Sequence, residues 1–333
     1  MENTSYNCKR RRVRANIHIR ELAATVQLSH KEFIQPLFVE EGLIAQTPIL
    51  SLNEINSDTI ESLLLQIDAD LLNGITKFLI FPIPLTKSEN NFDFSFVIQT
   101  ILAIKTRFGN KVWIAADTCL CAYTSHGHCG ILNSSRDKVL NHETLIVLAD
   151  YALQLAIAGA DCIAPSDMMD GRIAAIRQLL DKNGFDDVSI MSYSAKFNSQ
   201  FYGPFRDACK SQPNKKNVLK DRKTYQISSF NAMDAILTTL RDAEEGADIV
   251  MVKPAIPYLD VIKELSLTTY LTIAAYHVSG EYQSIELLAI HNCIDREKAH
   301  IEIWAALKRG GASIIISYAA RHAKNWLERI QSV

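Results

Sequence analysis

The segment DIVMVKP, residues 248–254, joins a short apolar run to a lysine and a proline. The run is too short for a helix and is typical of a strand buried on both faces. Lys253 ends the run, and Pro254 cannot donate a hydrogen bond to a sheet. Burial at the end of such a strand disfavours the ammonium form, and a neutral amine attacks carbonyl groups. The simpler alternative is an ammonium that reaches a carboxylate or water.

Further apolar runs alternate with amphipathic segments along the chain. The predicted strands are residues 33–39, 78–82, 112–117, 161–164, 188–193, 249–252, 272–278 and 313–318. The predicted helices are residues 57–73, 94–108, 141–158, 171–182, 231–245, 259–265 and 295–309. Strands that alternate with helices in this way predict a (β/α)8 TIM barrel, of the α/β class. A doubly wound open sheet is the alternative, but no glycine-rich phosphate loop follows the first strand.

A repeated turn supports this alternation. Gly-Ala precedes three of the predicted strands, at residues 159–160, 246–247 and 311–312. Glycine in the left-handed conformation commonly ends a helix, so we expect a helix to stop and a strand to begin at each pair.

The 333-residue chain suits one barrel, because no linker, repeat array or low-complexity tract divides it. We predict an extended N-terminal arm of residues 1–30 and a barrel domain of residues 31–333. Residues 9–14 carry five positive charges. Such an arm is either solvated or wraps a neighbouring subunit. Nucleic-acid binding is disfavoured, because no aromatic residues are interleaved with the charges.

The composition excludes several classes of protein. A hydrophobic content of 48% and a charged content of 22% are those of a soluble globular protein. The net charge of -2 gives no electrostatic basis for binding nucleic acid or an anionic membrane. No apolar run approaches the roughly 20 residues of a membrane helix, and the start lacks the apolar core of a secretory signal. The expected location is the cytoplasm.

Reactive side chains end or follow most of the predicted strands. In a TIM barrel such positions meet at one rim, where the chemistry takes place. They are Asp117, Ser166, Lys196, Lys253, Ser279 and Tyr318. Lys196 lies one strand from Lys253, and two nearby ammonium groups disfavour each other's charge. At least one lysine is therefore expected to approach the free amine that a Schiff base requires.

Seven cysteines, an odd number with three close together, do not resemble a disulfide framework. Cys119, Cys121 and Cys129 have the spacing C-x-C-x7-C, and His126 and His128 lie among them. Three thiolates would hold zinc with one position open, where the metal acts as a Lewis acid. A closed site that includes a histidine and a set of unliganded thiols are the alternatives.

Seven motifs make the chain resemble the porphobilinogen synthase family, also called 5-aminolevulinate dehydratase. They are DTCLCAYTSHGHCGIL (117–132), APSDMMDGR (164–172), MSYSAKFNSQFYGPFRDA (191–208), DRKTYQ (221–226), GADIVMVKPA (246–255), YHVSGEY (276–282) and SYAA (317–320). The resemblance implies a (β/α)8 barrel with an arm that assembles as a homo-octamer. It also implies a lyase that condenses two 5-aminolevulinate molecules into porphobilinogen, with loss of two waters, in tetrapyrrole (haem) biosynthesis.

The resemblance implies roles for the reactive groups. Lys253 matches the lysine that forms a Schiff base with the first substrate, which supplies the propionate side. Lys196 matches the lysine for the second substrate, which supplies the acetate side. The three clustered cysteines match the catalytic zinc ligands, and Asp117 matches the acid between metal and lysines.

The resemblance also implies contacts with both substrate carboxylates. Arg206, Arg222 and Gln226 match the clamp for the second substrate, and guanidinium suits a planar carboxylate. Ser279 and Tyr318 match the donors to the first substrate, and Ser166 is expected near it. Residues 198–223 are expected to form a lid, in which Tyr202 and Phe205 pack on the substrates or anchor the lid.

One departure from the family concerns magnesium. Thr238 stands where magnesium-responsive members have a glutamate, and a hydroxyl is a poor ligand for that cation. We therefore predict no allosteric magnesium.

Two other functions remain as alternatives from the sequence. A lysine-dependent aldolase would explain Lys253 but neither the cysteines nor Lys196. A nucleic-acid or assembly module would use only the arm and the cysteine cluster.

Overall fold

A closed parallel barrel forms the centre of the protein in the computed structural model, which describes residues 10–213 and 218–331. Its strands are β1 (Phe33–Glu40), β2 (Lys77–Ile83), β3 (Trp113–Thr118), β4 (Cys162–Pro165), β5 (Ser189–Lys196), β6 (Ile249–Lys253), β7 (Thr272–His277) and β8 (Ile314–Ser317). Phe33 and Ile34 of β1 pair with Ile315 and Ile316 of β8. This pairing closes the sheet, so the barrel is confirmed and the open-sheet alternative is wrong.

Helices surround the barrel. They are α1 (Ile17–Leu22), α2 (Ile60–Leu72), α3 (Ser95–Phe108), α4 (Asn141–Ile157), α5 (Arg172–Lys182), α6 (Gly203–Ala208), α7 (Ala232–Glu244), α8 (Leu259–Thr268), α9 (Ser279–Ile290), α10 (Arg296–Gly310) and α11 (Ala323–Gln331). The seven predicted helices are confirmed within a few residues at each end. Helices α1, α6, α9 and α11 were not predicted, nor were two short strands, Thr47–Pro48 and Asn56–Asp58.

The strands form the core because most of their side chains are apolar and buried. Val250, Met251 and Val252 of β6 are fully buried, as the opening segment predicts. The Gly-Ala turns are also confirmed, since Gly159 and Gly246 have φ values of 98° and 104°. Both glycines adopt the left-handed region that other residues avoid.

The described part of the N-terminal arm, residues 10–30, lies outside this core. A short 3-10 helix at Arg10–Arg14 and α1 contain no buried residue. Residues 1–9 of the predicted arm lie outside the described part of the chain. Within the described ranges, no helix combines the length and apolar character needed to cross a membrane.

Candidate active site

Two lysines face the same end of the barrel from neighbouring strands. Lys196 is the last residue of β5, Lys253 is the last residue of β6, and the two pair directly in register. The β5–β6 register shifts between Ser192 and Ala195. An irregularity of this kind changes the direction of the residues that follow it. The strand pairing thus places two amines side by side at the carboxyl end of the barrel.

Aromatic rings surround the side-chain nitrogen of Lys253. Its Nζ lies 4.1–5.9 Å from the ring centroids of Phe81, Tyr193, Tyr202, Phe205 and Tyr276. Lys196 Nζ lies 5.5 Å from the same Tyr193 ring and donates a hydrogen bond to the Ser166 carbonyl. The rings exclude water from this pocket. Because hydration stabilises an ammonium group, its loss destabilises the charged form of the lysines.

The pKa of Lys253 is lowered to about 7. Burial is the main cause, and the positive charge of Lys196 adds to it. Asp117 opposes the shift with its carboxylate. Lys253 is therefore available as a free amine near neutral pH, which an ordinary lysine is not.

Asp117 and Ser166 lie in the same cavity as the two lysines. Burial raises the pKa of Asp117, and the charges of Lys196 and Lys253 oppose the rise. One carboxylate oxygen, Oδ1, has no hydrogen-bond partner among the described residues. A buried carboxyl group with a free oxygen and a raised pKa is suited to exchange protons with a bound molecule.

The three clustered cysteines form a single group beside the lysines. The Sγ atoms of Cys119, Cys121 and Cys129 all lie within 4.8 Å of one another and are buried. Cys121 also lines the cavity that contains Lys196 and Lys253. Hydrogen bonds from Cys119 and Cys121 lower the pKa of the Cys129 thiol, which favours a thiolate. The donor set therefore fits a thiophilic metal such as zinc.

The neighbouring histidines do not join this group. His128 Nδ1 is 3.1 Å from the Tyr225 hydroxyl oxygen, and its Nε2 is 2.9 Å from the Leu219 carbonyl oxygen. His126 Nδ1 accepts a hydrogen bond from the His128 backbone N–H. The closed site with a histidine ligand is therefore not the arrangement of the described residues, in which three thiols alone come together.

Three donors near the cysteines lack acceptors. Nε of Arg206, Nε of Arg222 and Nε2 of Gln226 are buried and have no hydrogen-bond partner within the described ranges. Burial, and then the charge of Arg222, lowers the pKa of Arg206. Two guanidinium groups that repel each other and have free N–H groups favour an anion between them. A carboxylate matches this arrangement in charge and shape.

Ser279 and Tyr318 follow β7 and β8 and hydrogen-bond to the protein. The Ser279 hydroxyl donates to the Phe201 carbonyl at 3.2 Å and accepts from the Phe205 N–H at 3.0 Å. The Tyr318 hydroxyl lies 3.2 Å from that of Tyr276. Both hydroxyls would have to exchange a partner to contact a substrate carboxylate.

The predicted lid covers the cavity. A 3-10 helix (Gln200–Tyr202) and α6 lie over the lysines, and the Tyr202 hydroxyl donates to the Lys253 carbonyl at 2.9 Å. Arg222 donates to the carbonyls of Gly127 and Ser211, which joins the lid to the cysteine loop. Residues 214–217 of the predicted lid lie outside the described residues.

Sequence reasoning missed the inner rings of the Lys253 pocket. Phe81, Tyr193 and Tyr276 lie on β2, β5 and β7 and are buried inside the barrel. Each lies within four residues of its strand's carboxyl end, so inward alternation along the strands was the available signal. Glu281, a buried carboxyl group on α9, was also missed.

Comparisons with known proteins agree with this arrangement. The family model described as Delta-aminolevulinic acid dehydratase matches residues 7–326. The Delta-aminolevulinic acid dehydratase of Bacillus subtilis (strain 168) is 40% identical over 327 residues, which cover 97% of this chain and 98% of the relative. That of Methanothermus sociabilis is 42% identical over 313 residues, covering 93% and 95%.

A solved structure matches the fold over nearly the whole chain. It is delta-aminolevulinic acid dehydratase (porphobilinogen synthase) from Toxoplasma gondii ME49 in complex with the reaction product porphobilinogen. The TM-score is 0.92 at 36% sequence identity, and the match covers 97% of this chain and 92% of the other.

Proposed function

The chain belongs to the delta-aminolevulinic acid dehydratase family and condenses two 5-aminolevulinate molecules to porphobilinogen, and we propose that it does so through Schiff bases on Lys253 and Lys196. As a porphobilinogen synthase it is a hydro-lyase. The observation that carries the proposal is the register pairing of two lysines in a desolvated pocket. The aldolase alternative does not explain the second lysine or the cysteines.

The first substrate binds at Lys253 in this proposal. The neutral amine attacks the ketone carbon, and the resulting carbinolamine loses one water to give an imine. Asp117 supplies a proton to the departing hydroxyl group and recovers one afterwards. Ser279 and Tyr318 donate hydrogen bonds to the substrate carboxylate, and Ser166 lies nearby.

The second substrate binds at Lys196. Its carboxylate lies between Arg206 and Arg222, with Gln226 as an additional donor, and so satisfies the three unpartnered N–H groups. Loss of a proton next to the imine carbon gives an enamine-like carbon, which forms the new C–C bond with the imine carbon on Lys253. Attack of the first substrate's amino group on the second imine carbon expels Lys196, and loss of an adjacent proton expels Lys253, so both lysines leave as free amines. Two substrates lose two waters overall, as the formula of porphobilinogen requires. Tyr202 and Phe205 close the pocket against water.

Cys119, Cys121 and Cys129 are proposed to hold zinc. When bound, the metal supplies Lewis-acid polarisation in the subsite of the second substrate. The three thiols require a reducing compartment to stay unoxidised, which is consistent with the predicted cytoplasmic location.

The test of the proposal is borohydride reduction in the presence of 5-aminolevulinate. We expect reduced adducts on Lys253 and Lys196, located by peptide mass spectrometry, and a coloured pyrrole in the unreduced reaction. The pyrrole assay with and without a chelator tests the metal separately. An adduct-free protein that still forms pyrrole would contradict the imine proposal.

The rate of adduct formation on Lys253 is expected to fall about tenfold for each pH unit below about 7. The pKa of this lysine is lowered to about 7, so the neutral amine predominates above that pH and becomes scarce below it. Timed borohydride quenching across the pH range measures how the rate of adduct formation depends on pH. Circular dichroism confirms that the protein stays folded. A rate that falls with a midpoint near pH 10, which is roughly the ordinary pKa of lysine, would contradict the expectation.

Magnesium is expected to leave the activity unchanged. Thr238 lies on α7 beside a surface cleft that includes Asp170 and Arg241, which form an ion pair. A hydroxyl next to a paired carboxylate offers little to a hard cation. Metal-free enzyme is first restored with zinc and then titrated with magnesium. Clear activation by magnesium at saturating zinc would contradict this prediction.

The protein is proposed to assemble as a homo-octamer through its arm. Residues 10–30, the part of the arm that the structure describes, bury no side chain in the single chain, and Val13, Ile17 and Leu22 are exposed. Exposed apolar groups on a basic arm are suited to contact another subunit. Analytical ultracentrifugation is expected to give eight times the 37.3 kDa chain mass, and removal of residues 1–30 to give smaller species. An octamer that survives the truncation would contradict the role of the arm.

A further inference from the structure

We propose that Glu281 is a positioning residue, which holds the segment that carries Lys253 and the segment that carries Ser279 at a fixed separation. The inference rests on the proposed role of Lys253 as the amine for the first substrate. Glu281 lies on α9, is only 3% exposed and has no part in the chemistry described above. A buried carboxyl group of this kind requires a partner that compensates for its burial.

Each oxygen of Glu281 accepts a backbone hydrogen bond from a different segment. Oε1 accepts from the N–H of Ile256 at 2.7 Å, and Oε2 accepts from the N–H of Val278 at 2.6 Å. Ile256 lies three residues after Lys253, and Val278 lies immediately before Ser279. One carboxyl group thus bridges the chain on both sides of the first substrate's subsite.

The bridge begins where the sheet ends. The last residue pair between β6 and β7 is Val252 with Ala275, so the paired strands stop one residue before Lys253. Pro254 has no N–H, and the next amides along the chain therefore need an acceptor outside the sheet. Glu281 provides that acceptor. Burial raises its pKa to about 8, and the N–H groups of Val278, Ile256 and Ala255 oppose that rise. Both oxygens keep lone pairs that can accept when the group is neutral.

Both bridged segments also contact the lid. The Lys253 carbonyl accepts from Tyr202, and Ser279 accepts from the Phe205 N–H. At Gly280, an added Cβ would lie only 2.6 Å from the Phe201 carbonyl oxygen, so the lid backbone already approaches α9 closely. A small shift of either segment would therefore displace Lys253 from Ser279 and disturb the closed pocket.

A simpler function for Glu281 is to cap α9. The hydrogen bond from Val278 has the geometry of a helix N-terminus, in which the third residue accepts from the residue before the helix. The bond from Ile256 is not part of a cap, because it comes from the loop after another strand. A cap alone predicts a loss of stability that affects both lysines equally. A bridge predicts a selective loss at Lys253.

The test is Glu281→Gln, with borohydride adducts quantified separately on the two lysines. An amide has one acceptor, so its NH2 group would face one of the two backbone N–H groups and release that segment. We expect the rate of adduct formation on Lys253 to fall about tenfold or more, since small misplacements of reacting groups are costly. The rate on Lys196 is expected to stay within about twofold, because the N–H groups that donate to Glu281 follow β6 and β7 and not β5.

Glu286→Gln is the matched control on the same helix. Glu286 is 1% exposed and accepts from Asn53, Arg296 and His300, away from the lysines. The Glu286→Gln substitution is expected to lower the melting temperature without changing the ratio of the adducts on Lys253 and Lys196. If the glutamine variant fails to fold, the ratio of the Lys253 adduct to the Lys196 adduct is measured in Glu281→Asp. The shorter aspartate side chain cannot reach both amides.

The outcomes separate this inference from the proposed function. An unchanged adduct ratio in the Glu281 variants, or an equal loss on both lysines, overturns the bridge while the wild-type adduct still supports the Schiff base. A wild-type protein without an adduct on Lys253 overturns the proposed function and the role of Glu281 together.

Discussion

Replacement of Lys253 by methionine is expected to lower the turnover of 5-aminolevulinate by at least about 10⁴-fold, as loss of a covalent nucleophile does in other enzymes. Methionine has a similar length but no amine, so the imine with the first substrate cannot form. Lys196 remains in place and is not expected to replace it, because each lysine serves a different substrate in the proposed mechanism. The measurement is the rate of pyrrole formation at saturating substrate.

The same substitution is expected to keep the fold. The amine of Lys253 lies among five aromatic rings, and a thioether packs well against such rings. Removal of a buried amine whose charged form is disfavoured costs little stability. The melting temperature is therefore expected to stay within a few degrees of the wild type or to rise.

Lys77→Met is the control for this experiment. Lys77 begins β2, at the opposite end of the barrel from the cavity, and donates to the Lys31 carbonyl at 2.9 Å. If Lys77→Met keeps full turnover and Lys253→Met has none, the loss is specific to the lysine at the catalytic rim. Residual turnover above about one per cent in folded Lys253→Met would be too large for loss of the essential amine.

The barrel and its reactive rim were readable from the sequence because they depend on local patterns. The apolar runs are short, the Gly-Ala turns recur, and a rim position follows from its place at the end of a strand. The residues that line the cavity were all among those named: Asp117, Cys121, Ser166, Lys196, Tyr202, Phe205, Arg206, Arg222 and Lys253. Their roles came from the family motifs and not from the pattern alone.

The features that were missed depend on contacts between distant segments. The rings of Phe81, Tyr193 and Tyr276 meet at Lys253 only after the barrel has closed, and an isolated aromatic residue in a strand predicts no more than a core position. Glu281 appears in the sequence as an ordinary acidic residue, because its second partner, Ile256, is 25 residues away. Helix α9 itself was missed because polar and apolar residues are mixed around it.

Replacement of Cys129 by serine is expected to lower the zinc content of the protein and its turnover together. The Sγ atoms of the three cysteines lie within 4.8 Å of one another, so each would occupy one corner of a single metal site. A serine hydroxyl is not deprotonated near neutral pH and is a weak ligand for zinc. We expect the affinity for zinc to fall at least about 100-fold, since even loss of a group that only supports a ligand can cost that much.

Which properties the Cys129→Ser variant loses distinguishes a catalytic metal from a structural one. Lys253 is surrounded by rings and ends β6, whereas the cysteines lie in the loop after β3, so its borohydride adduct with 5-aminolevulinate is expected to persist in Cys129→Ser. Zinc content is measured by mass spectrometry of the dialysed protein, and Cys293→Ser, which changes an exposed cysteine outside the cluster, serves as the control. If the variant loses zinc but keeps full turnover, the metal has no part in the reaction. If it loses the Lys253 adduct together with its fold, the three thiols act as a structural site, and the open zinc site proposed here is wrong.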